Sequence, residues 1–381
     1  MKRVFLYGAL FTTTAVAVVS IARSQARTGP NAITINPDGS VTIVNAVVPL
    51  PTLLSEGGRN VLMRTRPTEG PGAPVPLPGG IADIAEVRRV YNENLKPNVE
   101  HMKQVFPVDI EETTIEGISA AIITPKGGVP EKNRNRLFLN GPGGGFRTGV
   151  RGNGLLISIP VAATLGVKVV SITYRQGPEY TFPAGSEDLL KVWNHYIRTY
   201  PPQNIGMVGC SAGGSLVSQT TAILIRDGKP TPGVLGVYCA GLGAVGMGAV
   251  SFGDSRFFNT LSVTNAPSGR SQAGPPPTRS SQAPPERTYF TGVDMKQFIV
   301  NPTLDEKLLA KWPPTIFFTA TRDMAMSGAL YSYRKLIKVG IDSQLMVFDG
   351  LYHGFMTNPD FPEAQEGYRT AAAFFDGHLG K

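Results

Sequence analysis

One ten-residue stretch constrains this chain more than any other. Ile205-Gly-Met-Val-Gly209-Cys210-Ser211-Ala212-Gly213-Gly214 starts as a short apolar run and ends in Gly-x-Ser-x-Gly, with good helix formers after it. A strand that passes into a helix across a single serine needs a tight, strained turn. Gly209 and Gly213 leave room there for neighbouring strand and helix backbone. The Ser211 hydroxyl then projects above the sheet at the positive end of the following helix, and the Ala212 N–H points at the same spot. A glycine-rich turn with a capping serine is the plainer alternative. The strand before and the helix after favour a nucleophile elbow.

The chain around it alternates. Apolar runs at 136–140, 167–174, 205–210, 234–241, 315–321 and 344–348 read as buried strands. Segments of helical period lie between them. In 186–198, for example, Leu189, Val192, Trp193, Tyr196 and Ile197 form one stripe, and Tyr368, Ala371, Ala372 and Phe375 form another near the end. Residues 108–124 alternate as a hairpin, closing at the turn Pro125-Lys126-Gly127-Gly128. Residues 81–105 carry Ile84, Val87, Val90 and Tyr91 on one helical face, with Pro97 expected to break the helix. Together these predict an α/β fold with a mostly parallel sheet and helices on both faces.

The N-terminus has a separate logic. Lys2 and Arg3 precede an uncharged apolar stretch, and Ser24-Gln25-Ala26 places small residues where a signal peptidase cuts. Residues 1–26 are expected to be a signal peptide, giving a periplasmic or secreted protein with no stable membrane anchor after cleavage. The formal charge of +8 falls to +5 once Lys2, Arg3 and Arg23 are removed. The remaining basic residues are scattered with no dense run, so no nucleic-acid partner is indicated. Residues 27–80 read as a loosely ordered leader, able to pack on the main domain, with one alternating piece at 32–48, and residues 81–381 as the main domain. Within that domain, 258–287 holds six prolines and almost no large apolar residue, so it is expected to be a mobile insertion. Both cysteines, Cys210 and Cys239, fall on or beside predicted core strands. That favours buried free thiols over a disulfide.

A serine needs a base, and the base needs an orienting group. Of the four histidines, His353 alone sits in a loop directly after the last strand, in Gly350-Leu-Tyr-His353-Gly354-Phe355. His101 precedes the sheet, His195 lies off its helix's apolar stripe, and His378 is near the C-terminus. Seven aspartates lie between Ser211 and His353 in chain order. Asp323 follows a predicted strand by two residues and is favoured as the acid, with Asp349 in reserve. Asn140-Gly141-Pro142-Gly143-Gly144-Gly145-Phe146 feeds a strand into a glycine cluster whose N–H groups can turn toward a ligand. No Lys-Ser or Lys-Thr follows, so a phosphate loop is not indicated.

These motifs, in order, resemble the hormone-sensitive-lipase-like esterases of the α/β-hydrolase superfamily. The matching pieces are Pro142-Gly-Gly-Gly-Phe146, Tyr174-Arg-Gln-Gly-Pro178-Glu179, Gly209-Cys-Ser-Ala-Gly-Gly214, His353-Gly-Phe355 and the segment from Pro313 to Asp323. The resemblance covers roughly residues 81–378. It implies a triad of Ser211, Asp323 and His353, oxyanion donors at Gly144, Gly145 and Ala212, an N-terminal cap region, and no metal or organic cofactor. It also implies a small-molecule ester or lactone substrate. Two positions depart from the family pattern: Pro142 stands where a histidine is usual, and Cys210 where an aspartate is usual. Ester hydrolysis through an acyl-enzyme is the leading expectation. Lactone hydrolysis or acyl transfer by the same residues is the alternative, and a non-catalytic binding role is a third.

Overall fold

The computed structural model describes residues 51–64, 84–243 and 288–380, together with the backbone of two short strands at 33–35 and 41–43. Residues 1–26, most of the leader, the insertion at 258–287 and Asp254 lie outside the described residues. The chain divides into two compact units, Met1–Leu50 and Pro51–Lys381. In the first, β1 (Ile33–Ile35) pairs antiparallel with β2 (Val41–Ile43), within the stretch whose alternation predicts strand.

The second unit is built on one sheet. Its strands are β3 (Val108–Ile115), β4 (Ile118–Pro125), β5 (Leu137–Gly141), β6 (Lys168–Ile172), β7 (Ile205–Cys210), β8 (Val234–Tyr238), β9 (Thr315–Arg322) and β10 (Ser343–Tyr352). Their spatial order is β10-β9-β8-β7-β5-β6-β4-β3. Every pairing from β10 to β6 is parallel, and β4 runs against both of its neighbours. Successive residues of the central strands enter different cores. Phe138, Val169, Val208 and Phe318 face one, while Leu139, Val170, Met207 and Phe317 face the other. Both faces are buried, so these strands are continuously apolar rather than alternating.

Helices supply the two covers. α3 (Val150–Leu165) and α8 (Pro362–His378) pack on the first face through Leu156, Ile159, Tyr368 and Phe375. α4 (Ala184–Tyr196), α5 (Ala212–Arg226) and α7 (Met326–Lys338) cover the second through Trp193, Leu216, Ala329 and Leu336. A single turn of helix, α6 (Glu306–Leu309), starts at Asp305, whose carboxylate accepts from the Lys307 and Leu308 N–H groups. Among the described residues, no helix is long and apolar enough to cross a membrane.

Two expectations need correction. First, α2 (Ile84–Val105) runs straight through Pro97. A proline inside a helix forfeits one hydrogen bond and costs about 3 kcal/mol. Burial of Val87, Val99 and Met102 on the same helix offsets that cost, and α2 lies so close to α3 that a Cβ on Gly152 would meet Leu95 Cδ1 at 2.6 Å. Second, part of the leader is ordered. α1 (Glu56–Arg64) buries Val61 and Leu62, and the Ser55 N–H donates to Glu363 at 2.9 Å, which ties this segment to α8. Nine residues with two glycines are too short to show a helical period, so only the tertiary contact reveals the helix.

Candidate active site

Four loops matter, and each follows the carboxyl end of a parallel strand: the glycine run after β5, Ser211 after β7, Asp323 after β9 and His353 after β10. Ligands of open α/β sheets collect at that edge.

Ser211 has φ +60° and ψ −126°, a conformation that L residues avoid. It is held there because its N–H donates to Tyr238 O at 2.8 Å, while β7 and α5 crowd the turn from both sides. A Cβ on Gly213 would run into Gly141 O and meet Pro142 C at 2.8 Å, and one on Gly209 would meet the Gly213 carbonyl. Gly213→Ala is therefore expected to destabilise the fold by about 1–3 kcal/mol as the strand and helix are forced apart. Urea unfolding measures this, and an unchanged midpoint would contradict the crowding.

His353 Nε2 lies 2.8 Å from Ser211 Oγ, and its Nδ1 lies 2.7 Å from Asp323 Oδ1. Asp323 is 1% exposed and accepts two further hydrogen bonds, from the Ala325 N–H to Oδ1 (2.8 Å) and from Thr319 Oγ1 to Oδ2 (2.9 Å). Burial alone would raise the Asp323 pKa. The charge and hydrogen bond of His353, with the other two donors, outweigh it and hold the carboxyl below its usual value. For His353, burial pulls the imidazole pKa down, but the Asp323 charge and hydrogen bond prevail and bring it to about 9.

The loop that carries His353 is shaped by a register shift between β9 and β10 from Phe348 to Tyr352. Thr321 bridges the two strands there. Its hydroxyl accepts from the Gly350 N–H at 2.7 Å and donates to Asp349 at 3.4 Å. Asp349, the reserve acid, is thus engaged with Thr321, and Asp323 is the carboxylate that His353 meets. Beyond His353, Phe355 and Met356 are fully buried and anchor the loop.

The glycine run lies directly against the elbow: a Cβ on Gly143 would stand 2.7 Å from Cys210 O and 3.5 Å from the Ser211 Cβ. Gly144 and Gly145 have φ +117° and +65°. Among the described residues, none accepts a hydrogen bond from the N–H of Gly144, Gly145 or Ala212, which leaves these donors for a ligand. The Tyr174–Glu179 motif tethers the loop. Tyr174 OH donates to Pro142 O (3.1 Å), the Gly177 N–H to Phe146 O (2.8 Å) and Gln176 Nε2 to Thr148 O (3.1 Å). From α2, Arg88 adds a bond to Arg147 O at 2.8 Å and an ion pair with Glu179. Tyrosine thus holds the proline carbonyl at the position where the family pattern has histidine.

Cys210 and Cys239 are free and buried. Cys239 accepts from the Gly354 N–H at 3.2 Å, next to His353. Contact with Cys210, then burial, pushes its pKa well above the usual thiol value, so it stays neutral. Cys239, Asp323 and His353 form the one cluster of potential metal donors among the described residues. In it, the Asp323 and His353 atoms are already bonded to each other.

The structure brings Ser211, Asp323 and His353 together beside the glycines, and adds Thr319 and Thr321, which sequence reasoning did not name, and contacts of Tyr174 and Cys239 that it did not foresee. Tyr174, Thr321 and Cys239 act through hydrogen bonds between segments far apart in the chain, and Thr319 through a side chain four residues before Asp323. His101 and His195 are half-buried and pair with Asp360 and Glu116 rather than with Ser211. His378 bonds Asp342 and Phe374 O.

Comparison with known proteins adds a second line. A family model described as "alpha/beta hydrolase fold" matches residues 142–357. Arylacetamide deacetylase of Oryctolagus cuniculus is 30% identical over 127 residues, 32% of each chain. A versiconal hemiacetal acetate esterase of Emericella nidulans is 39% identical over 61 residues, 16% of this chain and 21% of that one. The matches thus span a third or less of these curated relatives. Among solved structures, a crystal structure of an esterase aligns with TM-score 0.71 and 25% identity over 90% of this chain and 99% of its own. A second, an esterase from the bacterial hormone-sensitive lipase family, aligns with TM-score 0.64 and 20% identity over 86% and 99%.

Proposed function

The chain belongs to the alpha/beta hydrolase fold family, and from that premise we propose that it is a serine hydrolase of carboxylic esters with short to medium acyl groups. The observation that carries this reading is the continuous hydrogen-bonded line from Ser211 Oγ through His353 to Asp323. The printed names of the relatives, a deacetylase and an acetate esterase, support an acyl substrate.

In this reading Ser211 attacks the ester carbonyl while His353 Nε2 takes its proton. Asp323 keeps the Nδ1 proton in place and stabilises the imidazolium that forms. The tetrahedral oxyanion sits among the N–H groups of Gly144, Gly145 and Ala212, where one such donor contributes about 3 kcal/mol. The alcohol leaves with the proton from His353. A water molecule then repeats the sequence on the acyl-enzyme. The site residues need no metal for any of these steps.

A fluorophosphonate ester tests the assignment directly. Peptide mass spectrometry should place the label on Ser211, and p-nitrophenyl acetate and butyrate turnover should fall in step with labelling. Label on another residue, or turnover that survives full labelling, would sink the serine mechanism.

The pH dependence follows from His353. Only the neutral imidazole accepts a proton, so kcat/KM should rise with pH and level off above about 9. Stability runs the opposite way. A folded pKa raised from 6.5 to about 9 makes the His353–Asp323 pair stabilising at low pH, and that contribution fades as pH climbs through about 9. Rate profiles beside melting curves from pH 6 to 10 would check both signs, and activity already flat above pH 7 would show that Asp323 does not raise the His353 pKa to that level.

A further inference from the structure

Phe146 closes the glycine run with φ +57°, a left-handed conformation that a bulky residue keeps only when its surroundings impose it. Its side chain is 1% exposed and points into a cluster of aromatic rings. Tyr289 lies flat on it, with centroids 4.6 Å apart and planes 6° from parallel. Phe290 and Tyr174 meet it edge-on at 5.2 and 6.1 Å.

Tyr289 is itself fixed at three points. Its hydroxyl accepts from the Gly185 N–H at the start of α4 (2.7 Å), and its carbonyl accepts from the Phe182 N–H (2.7 Å). Its backbone also packs on Gly177, where a Cβ would stand 2.8 Å from the Tyr289 N. Gly177 in turn donates its N–H to Phe146 O. Tyr289 therefore grips both sides of Phe146, the ring by stacking and the carbonyl through Gly177. Phe146 is the residue next to Gly145, and Gly143 of the same run lies against Ser211.

We propose that Tyr289 is a positioning residue for the oxyanion loop: its ring braces Phe146 and so keeps the N–H groups of Gly144 and Gly145 aimed above Ser211. The inference rests on the serine-hydrolase reading and deepens it. Tyr289 is buried, and its partners are Gly185, Phe182, Phe146 and Phe290 rather than Ser211 or His353. Its contribution appears where the oxyanion forms, in the transition state rather than in ground-state binding.

The test compares Tyr289→Leu, which removes the ring face, with Tyr289→Phe, which keeps it, in the full chain. Tyr289→Leu should lower kcat for p-nitrophenyl butyrate at least tenfold with KM within twofold. Affinity for an alkyl trifluoromethyl ketone, whose serine adduct carries an oxyanion, should fall by the same factor. Tyr289→Phe should stay within threefold of the unaltered protein in all three. If Tyr289→Leu fails to fold, Tyr289→Met, apolar and without a ring face, takes its place. Wild-type kcat in the ring-less variant, a loss carried by KM, or equal damage in Tyr289→Phe would each overturn the proposal. Hydrogen exchange in the peptide spanning residues 141–148 needs no turnover, so it separates this inference from the serine reading. Faster exchange without the ring supports the brace, and unchanged exchange refutes it, whatever the enzyme's activity.

Discussion

Ser211→Ala is expected to lower kcat for p-nitrophenyl esters by a factor of about one million, leaving only the slow reaction that oxyanion donors and binding support. The expected loss is specific because the substitution changes little else. Alanine carries the same Cβ, so the strained φ of +60° is neither relieved nor worsened. The Ser211 N–H bond to Tyr238 O remains, and one hydrogen bond, Oγ to His353 Nε2, is lost. The melting temperature should therefore move by only a few degrees. A purified variant that keeps even one tenth of the activity would refute Ser211 as nucleophile. Folded protein without turnover in either form would move weight to a lactone substrate or a binding role.

The second large effect is at Asp323. Asp323→Ala should reduce kcat by about four orders of magnitude, since the imidazole loses both its orientation and the charge that stabilises its protonated form. Asp323→Asn is a finer probe in this site. Oδ1 accepts from both His353 Nδ1 and the Ala325 N–H, whereas Oδ2, among the described residues, accepts from the Thr319 hydroxyl alone. An asparagine can leave its oxygen at the first place and turn its NH2 toward Thr319, a group able to accept. The Nδ1 proton then stays where catalysis needs it, and only the negative charge is lost. Asp323→Asn should accordingly retain more activity than Asp323→Ala. Its kcat/KM profile should also shift to lower pH, because burial of His353 is no longer opposed by the carboxylate. Equal activity in the two variants, or an unshifted profile, would show that Asp323 does not act through the tautomer and charge of His353.

Much of this was legible in the residues. The strands of the central sheet are short apolar runs because both of their faces are buried, and that pattern survives in one dimension. The elbow was legible for a different reason: Gly209 and Gly213 are the only residue type that the crowding between Gly141, β7 and α5 admits. Chain order and strand ends were enough to rank Asp323 first, but not to exclude Asp349. That decision came from the register shift in β10 and from Thr321, which occupies Asp349 while His353 swings toward Asp323.

Pro97 and the leader show the opposite case. Local preference argued for a break and for a loose segment, and packing against α3 and α8 overrode both. Local sequence thus determined the class of sheet, the strained turn at Ser211 and the histidine that faces it, since each depends on backbone conformation within a few residues. Only the tertiary structure decided which carboxylate the histidine meets, what braces the glycine loop and how the imidazole pKa is set. Those depend on groups such as Tyr174, Tyr289 and Cys239, which reach the site from distant parts of the chain. Hydrogen bonds, ring stacking and burial act through space, and sequence separation carries no record of them.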